Sequence, residues 1–78
     1  MAKDYTKKDE KKAMDIIKKD IIKSFTKIYG FAPSAKSIVP LESAQSGVIY
    51  TFLAFAINGI GYTYTIGLEV EKNPVYDL

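Results

Sequence analysis

Side chains able to do chemistry are few and poorly grouped in this 78-residue chain. It holds no cysteine and no histidine, which excludes thiol and imidazole catalysis, disulfides and Cys/His zinc sites. Ser24, Ser34, Ser37, Ser43 and Ser46 fall at helix, connection and turn positions where serine serves the backbone. A serine nucleophile among them would have no histidine to activate it. Lys18 comes nearest to the apolar arc of its segment, where an ammonium ordinarily snorkels to water. Glu69 and Glu71 share a strand face, but without a third ligand they make no metal site, and at a sheet end they read as solubilising. Gly59 and Gly61 belong to a hairpin rather than to a strand-to-helix turn, so they build no phosphate loop. These residue types predict a non-enzymatic protein, with no catalytic residue, metal, cofactor or small-molecule substrate.

What remains is binding, and the charges come first. Net charge is +2, and every positive side chain is a lysine. Arginine, the residue of bidentate grips on phosphate and guanine, is absent, which argues against sequence-reading of nucleic acid. The lysines are nevertheless patterned. At about 100° per residue, Lys8, Lys12, Lys19, Lys23 and Lys27 occupy roughly a third of a helix circumference. Such a stripe suits sequence-independent phosphate contacts and is the alternative reading of function. Ile16 projects into the same lysine face: the first reading is an ordinary surface isoleucine, the alternative an apolar contact point within a basic patch.

The element carrying that stripe is a helix expected over 6–29, after a frayed stretch 1–5. Thr6 is the expected N-cap, with Asp9 three residues on. Met14, Ile17, Ile21, Phe25 and Ile28 form its apolar stripe, flanked by Ala13, Ile22 and Tyr29. Gly30 and Pro33 end it, with Phe31 folding back as the apolar partner of the cap. Ser34 is placed to cap a single helical turn. A short edge strand follows at 37–43, with Val39 and Leu41 facing inward and Pro40 restricting it to an edge. Ala44 to Gly47 supplies the next turn.

Asn58-Gly59 between two alternating, aromatic-rich runs is the strongest local signal, a hairpin of strands 48–57 and 60–70. Pairing Ile57 with Ile60 carries the register outward through Phe55–Tyr62, Leu53–Tyr64 and Thr51–Ile66 to Ile49–Leu68 on one apolar face. The other face pairs Ala56–Gly61, Ala54–Thr63, Phe52–Thr65, Tyr50–Gly67 and Val48–Glu69. Residues 72–78 are left as a tail. The fold class is therefore α+β: one N-terminal amphipathic helix packed on a three-stranded antiparallel β-meander, in a single domain spanning 1–78.

One helix covers one side of a sheet. The uncharged second side, with Val48, Tyr50, Phe52, Ala54, Thr63 and Thr65, is then the expected protein-binding surface, for another protein or for a second copy in a homodimer. The tail, through Tyr76 and Leu78, is the competing cover for it. The 60–71 strand offers a long edge for β-augmentation. A small inhibitor of phage type, an adaptor or an assembly subunit fits such a surface. No signal-peptide h-region and no membrane-length apolar run are present, so no membrane partner and a cytoplasmic location are expected.

Overall fold

A computed structural model of the chain describes residues 7–78. The expected cap Thr6 and the stretch 1–5 lie outside the described residues. Helix α1 runs Lys7–Tyr29, and four antiparallel strands follow: β1 (Val39–Ser46), β2 (Ile49–Ile57), β3 (Ile60–Thr65) and β4 (Glu71–Lys72). They lie in the order β1-β2-β3-β4, so the expected α+β meander is present with a fourth, two-residue strand added.

At its C-terminus α1 stops as its sequence requires. The N–H of Gly30 bonds to the carbonyl of Thr26 at 2.9 Å, and the Phe31 ring returns edge-on to Phe25, 5.2 Å between centroids. Ile17, Ile21 and Phe25 are buried against Leu53, Phe55, Ile57, Tyr62 and Tyr64, with Met14 partly buried beside them. Ile28 was expected in this set but is exposed. The last turn presents Tyr29 to the sheet instead, its ring 5.9 Å from Tyr62 and 4.5 Å from Phe25.

Asn58 and Gly59 form the β2–β3 turn with φ of 52° and 82°, the left-handed pair that a two-residue hairpin demands. The predicted register holds from Ile57–Ile60 to Phe52–Thr65. There it stops. Gly67, at φ 84°, turns the chain after Thr65, with the N–H of Leu68 closing on the Thr65 carbonyl at 2.9 Å. The strand expected over 60–70 therefore ends at Thr65, and Ile49, Ile66 and Leu68 are exposed rather than paired in the core. The returning chain buries Val70 and lays β4 beside β3, so the 60–71 stretch is not an open edge.

Two register shifts correct the remaining strand expectations. In β1, Pro40 pairs with Phe55 and Glu42 with Ala54, so Leu41 is an extra residue. The inward residue is Ile38, just before the strand; Val39 faces the Ala56 side, and both Val39 and Leu41 are exposed. In β2, Gln45 pairs with Tyr50 and Ala44 with Phe52, so Thr51 is extra. That bulge turns Tyr50 onto the helix side, where it packs on the core cluster. The β1–β2 turn is Gly47–Val48 rather than 44–47. Ala35–Ser37 is a single 3₁₀ turn behind Ser34, whose side chain makes no capping bond.

Candidate functional site

The side of the sheet away from the helix is not the open surface expected. Ala54 and Ala56 are fully buried, and a C-terminal segment crosses them. Asn73 starts a 3₁₀ turn over Pro74–Tyr76, its side chain accepting the Val75 N–H. Asn73 donates its own N–H to the Gly61 carbonyl at 2.8 Å, and Leu78 donates to Gly59 at 2.8 Å. The Tyr76 hydroxyl reaches across to Glu42 of β1 at 2.5 Å. The tail expected to be loose, or to compete for this face, is therefore its lid over the hairpin end.

The six residues expected to bind protein are thus separated. Val48 lies in a turn, Tyr50 faces the helix, and Ala54 is sealed beneath the tail. Phe52 and Thr63 are half-buried and Thr65 is exposed on the uncovered half of the far side. Edge pairing has no easy route either. The free edge strand β1 carries Pro40, which has no N–H to offer, and the Leu41 bulge.

The apolar surface that does stay open is on the flank of α1. Ile16, Ile49 and Ile66 are 62 %, 61 % and 51 % exposed and surround one groove of about 520 Å³. Ile17 and Ala13 complete its helix wall; Val48 and Tyr50 complete the sheet wall. The groove exists for local reasons. The Thr51 bulge brings Tyr50 to this side, and the Gly67 turn removes the strand that would have filled the space beside Ile17. Asp9, Lys12 and Asp20 add charge of both signs to the lining. A shallower depression of about 280 Å³ continues past Asp20 along the same flank to Leu68 and Glu69. Its far end holds the exposed pair Lys27–Glu69 at 3.4 Å, a contact of small energetic weight.

Lys8, Lys12, Lys19, Lys23 and Lys27 are all exposed, as a solvated stripe requires. Lys12 belongs to the groove, and Lys23 and Lys27 to its continuation. Acids interleave with them, which lowers the positive field a phosphate backbone would meet. Of the groove residues, Ile16 carried a signal in the sequence, being off the core stripe. Ile49 and Ile66 carried none, because unbroken alternation assigns both to the core. Among the described residues no cluster of His, Cys, Asp or Glu is placed to hold a metal ion, and no helix is long and apolar enough to cross a membrane.

No protein-family model matches the chain, and no curated protein sequence and no solved structure is found to match it.

Proposed function

We propose that the protein is a small, non-enzymatic binding module that takes the apolar side chains of a protein partner into the groove on the flank of α1. The observation that carries this reading is the convergence of three well-exposed isoleucines, from the helix, β2 and the turn after β3, around one depression. Single exposed isoleucines are ordinary, but a contiguous apolar hollow with a charged rim is the composition of an interaction site. A lone helix on a twisted sheet leaves such a flank wherever the strands end short of the helix. Here they end short because of Gly67 and Gly47–Val48.

Site-specific photo-crosslinking tests it. A benzophenone-bearing residue is placed at Ile16, Ile49 or Phe52 in the cells that make the protein. Positions 16 and 49 should give discrete adducts of the same mass, Phe52 should give none, and Ile16→Asp should abolish the adduct from position 49. No adduct from 16 and 49, or one of equal yield from Phe52, overturns the reading.

A further inference from the structure

We infer that the occupant of this groove is a second copy of the chain, its α1 lying antiparallel to the first about a two-fold axis at Ile16; the inference rests on the groove being a protein-binding surface. Along the flank of α1 that borders the groove, positions equally far either side of Ile16 carry opposite charges. Lys12 and Asp20 stand four residues either side of Ile16, and Asp9 and Lys23 stand seven either side. At about 100° per residue all five fall within an arc of roughly 80°, so they form one stripe.

A two-fold at Ile16 places each residue opposite the one equally far on the other side. Lys12 then meets the partner's Asp20, Asp20 meets the partner's Lys12, and Asp9 meets the partner's Lys23. All the pairs are of opposite sign. Parallel helices would instead set Lys12 against the partner's Lys12 and Asp20 against the partner's Asp20, so the charges choose the antiparallel arrangement. An isologous interface must be self-complementary, and this stripe satisfies that condition through its sequence alone.

The shape agrees with the charge. Antiparallel helices pack with axes about 8–10 Å apart, close enough for the partner's Ile16 to enter the groove beside Ile16, over Ile49 and Ile66. These isoleucines line a single cavity, so an inserted side chain meets a shared apolar surface. The small Ala13 on the same wall leaves room for it.

Charge reversal tests the pairing, with multi-angle light scattering across concentration as the readout. Wild type should show twice the chain mass. Lys12→Asp or Asp20→Lys alone should raise the dissociation constant about tenfold or more, since symmetry counts each reversal twice. The Lys12→Asp/Asp20→Lys double variant should recover the dimer. So should an equal mixture of the two single variants, which pairs only across the interface. All these side chains are exposed, and circular dichroism checks that each variant keeps its helix. A monomeric wild type, a dimer indifferent to single reversal, or a folded double variant that fails to recover overturns the inference. A monomer whose position-16 adduct has the mass of a different protein removes the second copy and leaves the groove reading standing. Absence of any adduct removes both.

Discussion

The carboxylate of Asp77 accepts the backbone N–H of Gly61 through Oδ1 at 2.6 Å, joining the C-terminal segment to the turn end of the hairpin. The carbonyl of the same glycine accepts from Asn73, so both backbone groups of Gly61 are used by residues far along the chain. The approach is close because Gly61 has no side chain. A Cβ there would lie 2.5 Å from the Tyr76 carbonyl carbon and 2.7 Å from the Asp77 nitrogen, with Asn73 O nearer still.

Gly61→Ala should therefore lift the lid. Backbone on three sides cannot yield as a flexible side chain does, so the cost should be about 1–3 kcal/mol, in the range of other overpacked sites. Urea denaturation measures that cost. Hydrogen exchange should show the Asn73 and Leu78 amides losing protection ahead of the β2 core. An unchanged midpoint with both amides still protected would mean that the segment accommodates a methyl group, contrary to the geometry.

The hairpin was legible because Asn58-Gly59 allows one turn and one register, and six cross-strand pairs follow from it. The helix was legible from the spacing of Ile17, Ile21 and Phe25. The lid was legible only as the competing cover through Tyr76 and Leu78; its fastening was not, because main-chain groups, single contacts from Asp77 and Tyr76 and a missing Cβ at Gly61 have no periodicity. Tyr50 was assigned to the wrong side because alternation presumes no bulge, and threonine at position 51 does not announce one. The same presumption hid the groove. With Ile49 and Ile66 counted in the core, Ile16 looked like an isolated oddity rather than one wall of a shared surface.

Ser24 ties the helix to the chain returning from β3. Its Oγ accepts the N–H of Val70 at 2.9 Å, and Val70 is buried. Ser24→Ala removes the acceptor and leaves a buried donor, at about 1–3 kcal/mol. Alanine's better helix propensity returns only a few tenths of a kcal/mol. The net effect should be a lower urea midpoint together with faster exchange at the Val70 amide. A double-mutant comparison with Gly61→Ala should be additive if the two attachments of the C-terminal segment are independent.

Stability should fall at alkaline pH through two tyrosines. Burial raises the pKa of Tyr62 above the usual value near 10, helped by Tyr29 and Asp77; burial also raises Tyr64, helped by Asp20. The folded state therefore favours the neutral phenols. Their contribution is fully present below the unfolded-state value near pH 10 and is lost as pH rises through the higher folded-state values. Denaturation midpoints measured from roughly pH 8 to 11.5 should drop more steeply for wild type than for Tyr62→Phe/Tyr64→Phe. Comparison with that variant removes the lysines, which titrate in the same range. Parallel curves for the two proteins would show that the phenols ionise without reference to folding.

The Thr51 bulge sets which side of β2 Tyr50 occupies, and comparing wild type with a Thr51 deletion separates two views of the strand. Thr51 contributes its carbonyl to the Ile66 N–H at 2.9 Å and its hydroxyl to the Ala44 carbonyl at 3.2 Å. Simple alternation counted from Phe52 puts Tyr50 on the far side, and deleting one residue would then carry it to the helix side. The observed pairing says otherwise. Gln45–Tyr50 and Ala44–Phe52 are already consecutive pairs of β1, so deleting Thr51 leaves each pair intact and Tyr50 against Ile17. Contacts between the Tyr50 ring and methyls of the core cluster should appear in nuclear Overhauser spectra of wild type and deletion variant alike, the variant losing about 1–3 kcal/mol with those two hydrogen bonds. Contacts absent from wild type that appear only on deletion would show that the strand alternates without a bulge, and with that would go the account of why the groove has a sheet wall.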